Sequence, residues 1–283
     1  MSSASSGVMI VAGGLLLAAC GARDHSGHPD VAREVLTVCA DPNNLPFSNR
    51  ERAGFENRIA EVVADDLGLP LQYLWWPQRR GFVRNTLNSG ACDLIAGVQA
   101  GFGMAATTQP YYVSSYVFVS RAGPAPAIRS FDDPRLRTLR IGIHAVGDDY
   151  ASVPPALELA ARGIVHNLRG YSIHGDYSRP DPPARLIEAV AQGDVDVAIA
   201  WGPLAGYFAQ RVPVPLQLDT VPAGAAVPMQ FAIAMAVRRD DPALLARVDR
   251  ALRDRRPQID AILREYGIPF DTQESTLLAG AAP

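Results

Sequence analysis

Three arginines, Arg79, Arg80 and Arg84, stand where a second helix of the chain is predicted to open. Peptide N–H groups at a helix start already favour an anion, so these side chains could dock a carboxylate of a small ligand or a partner protein. A solvated basic face is the competing reading. Asp41, Asn43 and Asn44 share a turn braced by Pro42 and Pro46. They offer acceptors and amide donors to a ligand, unless they serve only their own backbone. Trp75 and Trp76 must face opposite sides of a strand, so one belongs to the core, and Trp76 is the candidate platform. Trp201, next to Gly202 and Pro203, suggests apolar contact with a bulky or protein surface, or a cap on the local core. Asp148-Asp149 and Asp176-Tyr177 could bind a cation from an open cleft, although paired acids in loops are commonly solvated.

Missing patterns narrow the chemistry. The sequence shows no Ser-His-Asp order, HExxH, CxxC or Gly-rich phosphate loop, so no catalytic residue and no cofactor is assigned. The histidines at 25, 28, 144, 166 and 174 lack metal-ligand spacing, and only His144 falls near the expected cleft; no metal site is assigned. All 26 basic residues are arginine, which removes Schiff-base and lysine-nucleophile chemistry. A net charge of -3 supplies no field for nucleic acid or an anionic membrane surface. The chain reads as a binder, not an enzyme.

The elements that must position these groups form an internal repeat. Leu36–Ala40 and Leu139–Ile143 are short apolar strands. Leu87–Ala96 and Val190–Ile199 each end a helix, turn at Gly90 or Gly193, and enter a strand through Asp93 or Asp196. One offset of 103 residues relates both pairs, which predicts two tandem βαβ lobes. Between them, Phe55, Ile59, Val62, Val63 and Leu67 fall at helical spacing before Gly68. Leu71–Trp76 is a second strand and Gln78–Asn88 a second helix. In the other half, Pro182 and Pro183 open a helix burying Leu186, Ile187 and Val190. Two β-rich runs, Tyr111–Val119 and Met229–Val237, leave and re-enter the first half, and helices opening at Pro242 and Pro257 pack back on it.

This order predicts an α/β protein of two βαβ lobes, each with its own core, joined by two hinge strands with a cleft between, and it resembles the type II periplasmic binding protein fold. Lobe 1 takes residues 32–119 and 230–275, and lobe 2 takes 120–229. Loops at the carboxyl ends of parallel strands face the crevice. They gather Asp41, Asn43, Asn44, Trp76, Arg79, Arg80, Gln99 and Tyr111 from lobe 1, and Asp148, Asp176, Tyr177 and Trp201 from lobe 2.

The amino terminus concerns location. Val8–Ala19 is an apolar run of signal-peptide length, ending in Leu17-Ala18-Ala19-Cys20. This resembles a bacterial lipobox, although no Lys or Arg precedes the run. It implies a signal peptide over 1–20, a tether over 21–31, and a periplasmic protein lipid-anchored through Cys20; a cleaved signal with a chance cysteine is the alternative. Later stretches do not reach membrane-spanning length. Cys39 and Cys92 remain. An oxidising compartment favours a bridge, but parallel neighbouring strands would hold their α-carbons beyond about 7 Å, which weighs slightly against it.

Three stretches carry a narrower likeness: Val38–Asn49, Trp75–Leu87 with its Trp-Trp-Pro-Gln-Arg-Arg run, and Trp201–Tyr207. They are similar to the binding-protein-like component associated with PQQ-dependent alcohol and methanol dehydrogenases, the MoxJ and XoxJ group. The fold-level resemblance spans nearly all of the chain after Val31, and these three stretches carry the narrower one. It implies an accessory role in which the PQQ-dependent alcohol dehydrogenase is the partner. A substrate-binding protein of an ABC transporter, with a small organic solute and a permease, is the alternative. Amino-acid-binding members of the fold clamp the substrate with an Arg before a Pro-Tyr turn and an Asp in the second lobe. Here Gly101–Tyr111 keeps Pro110-Tyr111 without the Arg, and Trp201 stands where the Asp would be, so a zwitterion would find neither charged handle.

Overall fold

The computed structural model describes residues 33–124, 127–145, 153–172, 180–221 and 227–270. Cys20, the leader, the tether with His25 and His28, and the final residues assigned to lobe 1 lie outside the described residues. In chain order the strands and helices are β1 Leu36–Ala40, β2 Asn43–Asn44, β3 Ser48–Asn49, α1 Phe55–Leu67, β4 Leu71–Trp75, α2 Phe82–Asn85, β5 Leu94–Gln99, β6 Ala106–Thr107 and β7 Tyr112–Arg121. There follow β8 Ile141–Ala145, α3 Pro154–Ala161, β9 Leu168–Ser172, α4 Arg185–Gln192, β10 Val197–Trp201 and α5 Gly202–Ala209. Last come β11 Leu216–Thr220, β12 Gln230–Val237, α6 Pro242–Asp254 and α7 Arg256–Glu265.

The repeat reaches down to individual hydrogen bonds. β1 runs parallel to β5 with Val38 opposite Leu94, and β8 runs parallel to β10 with Ile141 opposite Val197. The amide of Thr37 donates to the Asp93 carboxylate at 2.9 Å, and the amide of Arg140 donates to Asp196 at 2.8 Å. In return, Asp93 N–H donates to the Thr37 carbonyl and Asp196 N–H to the Arg140 carbonyl. Each of these partners lies 103 residues from its counterpart. An Asp entering the strand therefore pins the neighbouring strand's start in both halves. Gly68 and Gly193, at φ 67° and 82°, end α1 and α4 as expected of left-handed caps.

The halves are joined through the two connecting strands, β7 and β12. Ten strands form one hydrogen-bonded path, β4-β1-β5-β12-β7-β10-β8-β9, with β11 added to β7 and β6 to β12. The two connecting strands do not merely cross; they pair. Residues 112–115 of β7 lie antiparallel to 230–233 of β12. Beyond that seam β7 continues against β10 and β11, while β12 continues against β5. Nor are the cores separate. The largest apolar cluster joins Phe55 and Ile59 of α1 and Ile259 of α7 to Leu186 of α4 and Leu204 of α5. The reason is local: Tyr207 of α5 stacks on Tyr266 at 5.7 Å.

Three further expectations need correction. The helix forecast over 78–88 is a single turn, Phe82–Asn85, because Gly81 sits at φ 90° and Thr86 leaves the helical region. The strand forecast at Leu139 begins at Ile141, Arg140 being engaged by Asp196. Cys39 and Cys92 form a disulfide with α-carbons 5.7 Å apart. The spacing of paired parallel strands does not govern them, since Cys92 falls in the turn before β5 and not within it.

Candidate functional site

A cavity of about 560 Å³ opens where the half-sheets join. Its aromatic wall comes from three strands. Tyr112 and Tyr116 stand four residues apart on β7, and Phe231 and Ile233 two apart on β12, spacings that put each pair on one strand face. Trp201 ends β10 directly opposite Tyr116. Its ring meets Tyr116 at 5.4 Å and Phe231 at 5.9 Å, tilted by 64° and 60°. Leu204 and Pro154 close the side formed by the second half, and Phe47 lies across from them.

The polar groups enter from the first half. Asn44 is 4% exposed; it donates to the Gln78 side-chain oxygen at 3.2 Å, and its own Oδ1 is buried with no hydrogen-bond partner. Gln78 and Gln99 also line the space. Glu56, in the first turn of α1, completes it. The Phe55 and Glu56 amides donate to the carbonyls of Pro46 and Phe47 at 2.7 and 3.0 Å. Those helix-start N–H groups are thus spent on the loop and unavailable to an anion. The carboxyl reaches over Gly97 of β5, where a Cβ would collide with it. The residue is half-buried, and burial pushes its carboxyl pKa up to about 8. Burial likewise raises Tyr116 to about 12 and holds Tyr112 well above the ordinary phenol value.

Of the residues forecast from sequence, Asn44, Gln99 and Trp201 come together on this cavity. The others do not. Asp41 is buried and accepts from the Asn43 and Gln78 amides at 2.8 and 2.7 Å, bracing the turn. Asn43 faces a second hollow of about 700 Å³ that also has Trp75 and Asp181 on its walls. Tyr111 is buried with its hydroxyl donating to the Ala96 carbonyl at 3.0 Å, and its neighbour Tyr112 takes the cavity position. Trp76 lies beyond the end of β4 at 41% exposure, away from the cavity, while Trp75 is half-buried and stacks on Tyr73 at 4.7 Å. Arg79 and Arg80 are exposed in the turn before Gly81 and do not open a helix. His144 is buried within β8. Asp148, Asp149, His174, Asp176 and Tyr177 lie outside the described residues.

Glu56 and Phe231 were missed from sequence. An acid in the first turn of a helix is an ordinary dipole partner, and only Gly97 on the facing strand hints that it points inward. Phe231 was legible only as part of a β-rich run.

The family described as bacterial extracellular solute-binding proteins, family 3, matches residues 36–268. Protein MoxJ of Methylorubrum extorquens is 33% identical over 244 residues, which cover 83% of this chain and 81% of MoxJ. Protein MoxJ of Paracoccus denitrificans is 30% identical over 247 residues, covering 83% of this chain and 88% of its own. The crystal structure of the periplasmic binding protein XoxJ from Methylobacterium extorquens AM1 is similar at a TM-score of 0.69 and 37% identity, covering 84% of this chain and 100% of XoxJ. The fold is the type II periplasmic binding protein fold forecast from the strand order.

Proposed function

The chain belongs to family 3 of the bacterial extracellular solute-binding proteins, and from that premise we propose that it is a periplasmic accessory protein of a PQQ-dependent methanol or alcohol dehydrogenase. It acts by non-catalytic binding in or around the cleft between a first lobe (32–119 and 230–275) and a second (120–229). The observation that carries this reading is the likeness to MoxJ and XoxJ over more than four-fifths of the chain, the group to which the Trp-Trp-Pro-Gln-Arg-Arg stretch pointed. Asn44, Gln99 and Trp201, with Glu56, Tyr112, Tyr116 and Phe231, form its binding surface, and Cys20 carries its lipid anchor. The test is a pull-down from periplasmic extract with the full chain as bait. Recovery of a quinoprotein dehydrogenase supports the reading; recovery of a permease alone abandons it.

A cavity of about 560 Å³, the size of a small-molecule site, favours a second reading, the solute receptor of an ABC transporter. That reading expects a small solute to raise the melting temperature by mass action.

A further inference from the structure

The cavity has an unbalanced chemistry. It holds a buried acceptor with no partner, the Oδ1 of Asn44, and Glu56 is the one carboxyl among the described residues that line it, displaced upward by burial. Among the described residues that line it, none carries a positive charge. The first two α1 amides, of Phe55 and Glu56, donate to loop carbonyls and not to a bound anion. Beside these groups stand the rings of Tyr116 and Phe231, each tilted by about 60° to that of Trp201. An acid with no counter-ion among the described lining residues, beside tilted aromatic walls, is an arrangement that recognises organic cations, through the charge and the ring quadrupoles together.

We propose that this cavity takes an organic cation, its ammonium or guanidinium group against Glu56 and Asn44 and its apolar body against Trp201, Tyr116 and Phe231. The inference names the ligand chemistry of the site and rests on the cleft-binding reading given above. Among the described residues, the titratable groups whose charge reaches Glu56 are the phenols of Tyr73 on β4 and of Tyr111 and Tyr112 at the start of β7. All three are pushed above the ordinary phenol value by burial and stay neutral between pH 6 and 8. Glu56 is therefore the group that sets the pH response there. A cation binds the ionised carboxylate, so each molecule bound near pH 7 expels about one proton, and affinity climbs about tenfold from pH 6 to pH 7.

The experiment is calorimetric titration of the full chain with three probes of one size: phenethylamine, 2-phenylethanol and 3-phenylpropionate, at pH 6, 7 and 8. Phenethylamine should bind tightest, gain affinity with pH, and release a proton measurable from the buffer dependence of the heat. Glu56→Gln should erase both the amine-over-alcohol preference and the pH dependence while leaving weak binding of the alcohol. A thermal melt of that variant at pH 6 checks that it folds. Equal or tighter binding of the alcohol or the propionate, affinity that falls as pH rises, or no binding by any probe would each overturn the inference. Those results leave dehydrogenase recovery in the pull-down untouched, so the two readings fail separately. Elution of captured dehydrogenase by phenethylamine marks the cation as a side chain or amino terminus of the partner. Binding without elution marks a free solute.

Discussion

Replacing Glu56 by Gln should change how stability depends on pH, by an amount that follows from one buried group. Its pKa rises from 4.5 in a solvated reference to about 8 in the fold, with burial as the cause. Between these values the native state keeps a proton that the unfolded chain has shed, so raising the pH removes stability. The stabilising contribution is whole below pH 4.5 and gone above pH 8. The slope is about 1.4 kcal/mol per pH unit, and the full loss approaches about 5 kcal/mol, less to the extent that water in the cavity solvates the carboxylate. Asp133 and Asp196 are pulled the opposite way by side-chain hydrogen bonds from Arg135 and Arg140, which puts their effect below pH 4 and outside the window. Asp181 and Asp249, raised mainly by burial, act in both proteins and cancel in the comparison. The assay is urea unfolding of wild type and Glu56→Gln at pH 5, 6, 7 and 8 with the disulfide intact. The two stabilities should match near pH 5 and diverge in favour of the variant by about 2 to 4 kcal/mol at pH 8. Parallel pH profiles would refute the burial argument.

Further outcomes follow from other contacts. Replacing both Cys39 and Cys92 by Ser opens a bridge spanning 53 residues, a loss of about 4 kcal/mol on loop-closure entropy, read as a lower urea midpoint that reductant no longer shifts. Asp93→Ala removes the acceptor of the Thr37 amide and ion pairs to Arg33 at 3.1 Å and Arg238 at 3.6 Å. It should cost about 2 to 4 kcal/mol in urea unfolding. Asp196→Ala, whose carboxylate is more exposed and pairs with Arg140, should cost about 1 to 2 kcal/mol in the same assay. Gly97→Ala places a methyl group where the Glu56 carboxyl lies, and should weaken phenethylamine binding by at least about tenfold in calorimetry.

The parts of the fold that were legible in the sequence are those written in local backbone chemistry. Gly68 and Gly193 mark helix ends because few other residues accept a left-handed cap. Asp93 and Asp196 mark strand entries because each bonds the amide of the adjacent strand's first residues. What was not legible depended on side-chain direction and on turns. Tyr111 and Tyr112 are neighbours in sequence yet point to a buried carbonyl and to the cavity respectively, a choice set by the register of β7 on β12. The short α2 was overcalled because Gly81 interrupts a segment whose apolar spacing alone suits a longer helix. The disulfide was underestimated because strand spacing was applied to a residue in a turn. Glu56 was hidden by its conventional position; its role comes from Gly97, forty-one residues further along the chain.

The four-residue seam between β7 and β12 has a mechanical consequence. Single-chain connectors can each swivel about one peptide, but a paired ribbon held by crossed hydrogen bonds resists in-plane bending and yields chiefly to torsion. Tyr112, Phe231 and Ile233 are rooted in that ribbon, and Tyr116 is the first residue past it. A molecule lodged among these rings therefore presses on the torsional axis itself, with no lever arm between the occupant and the joint.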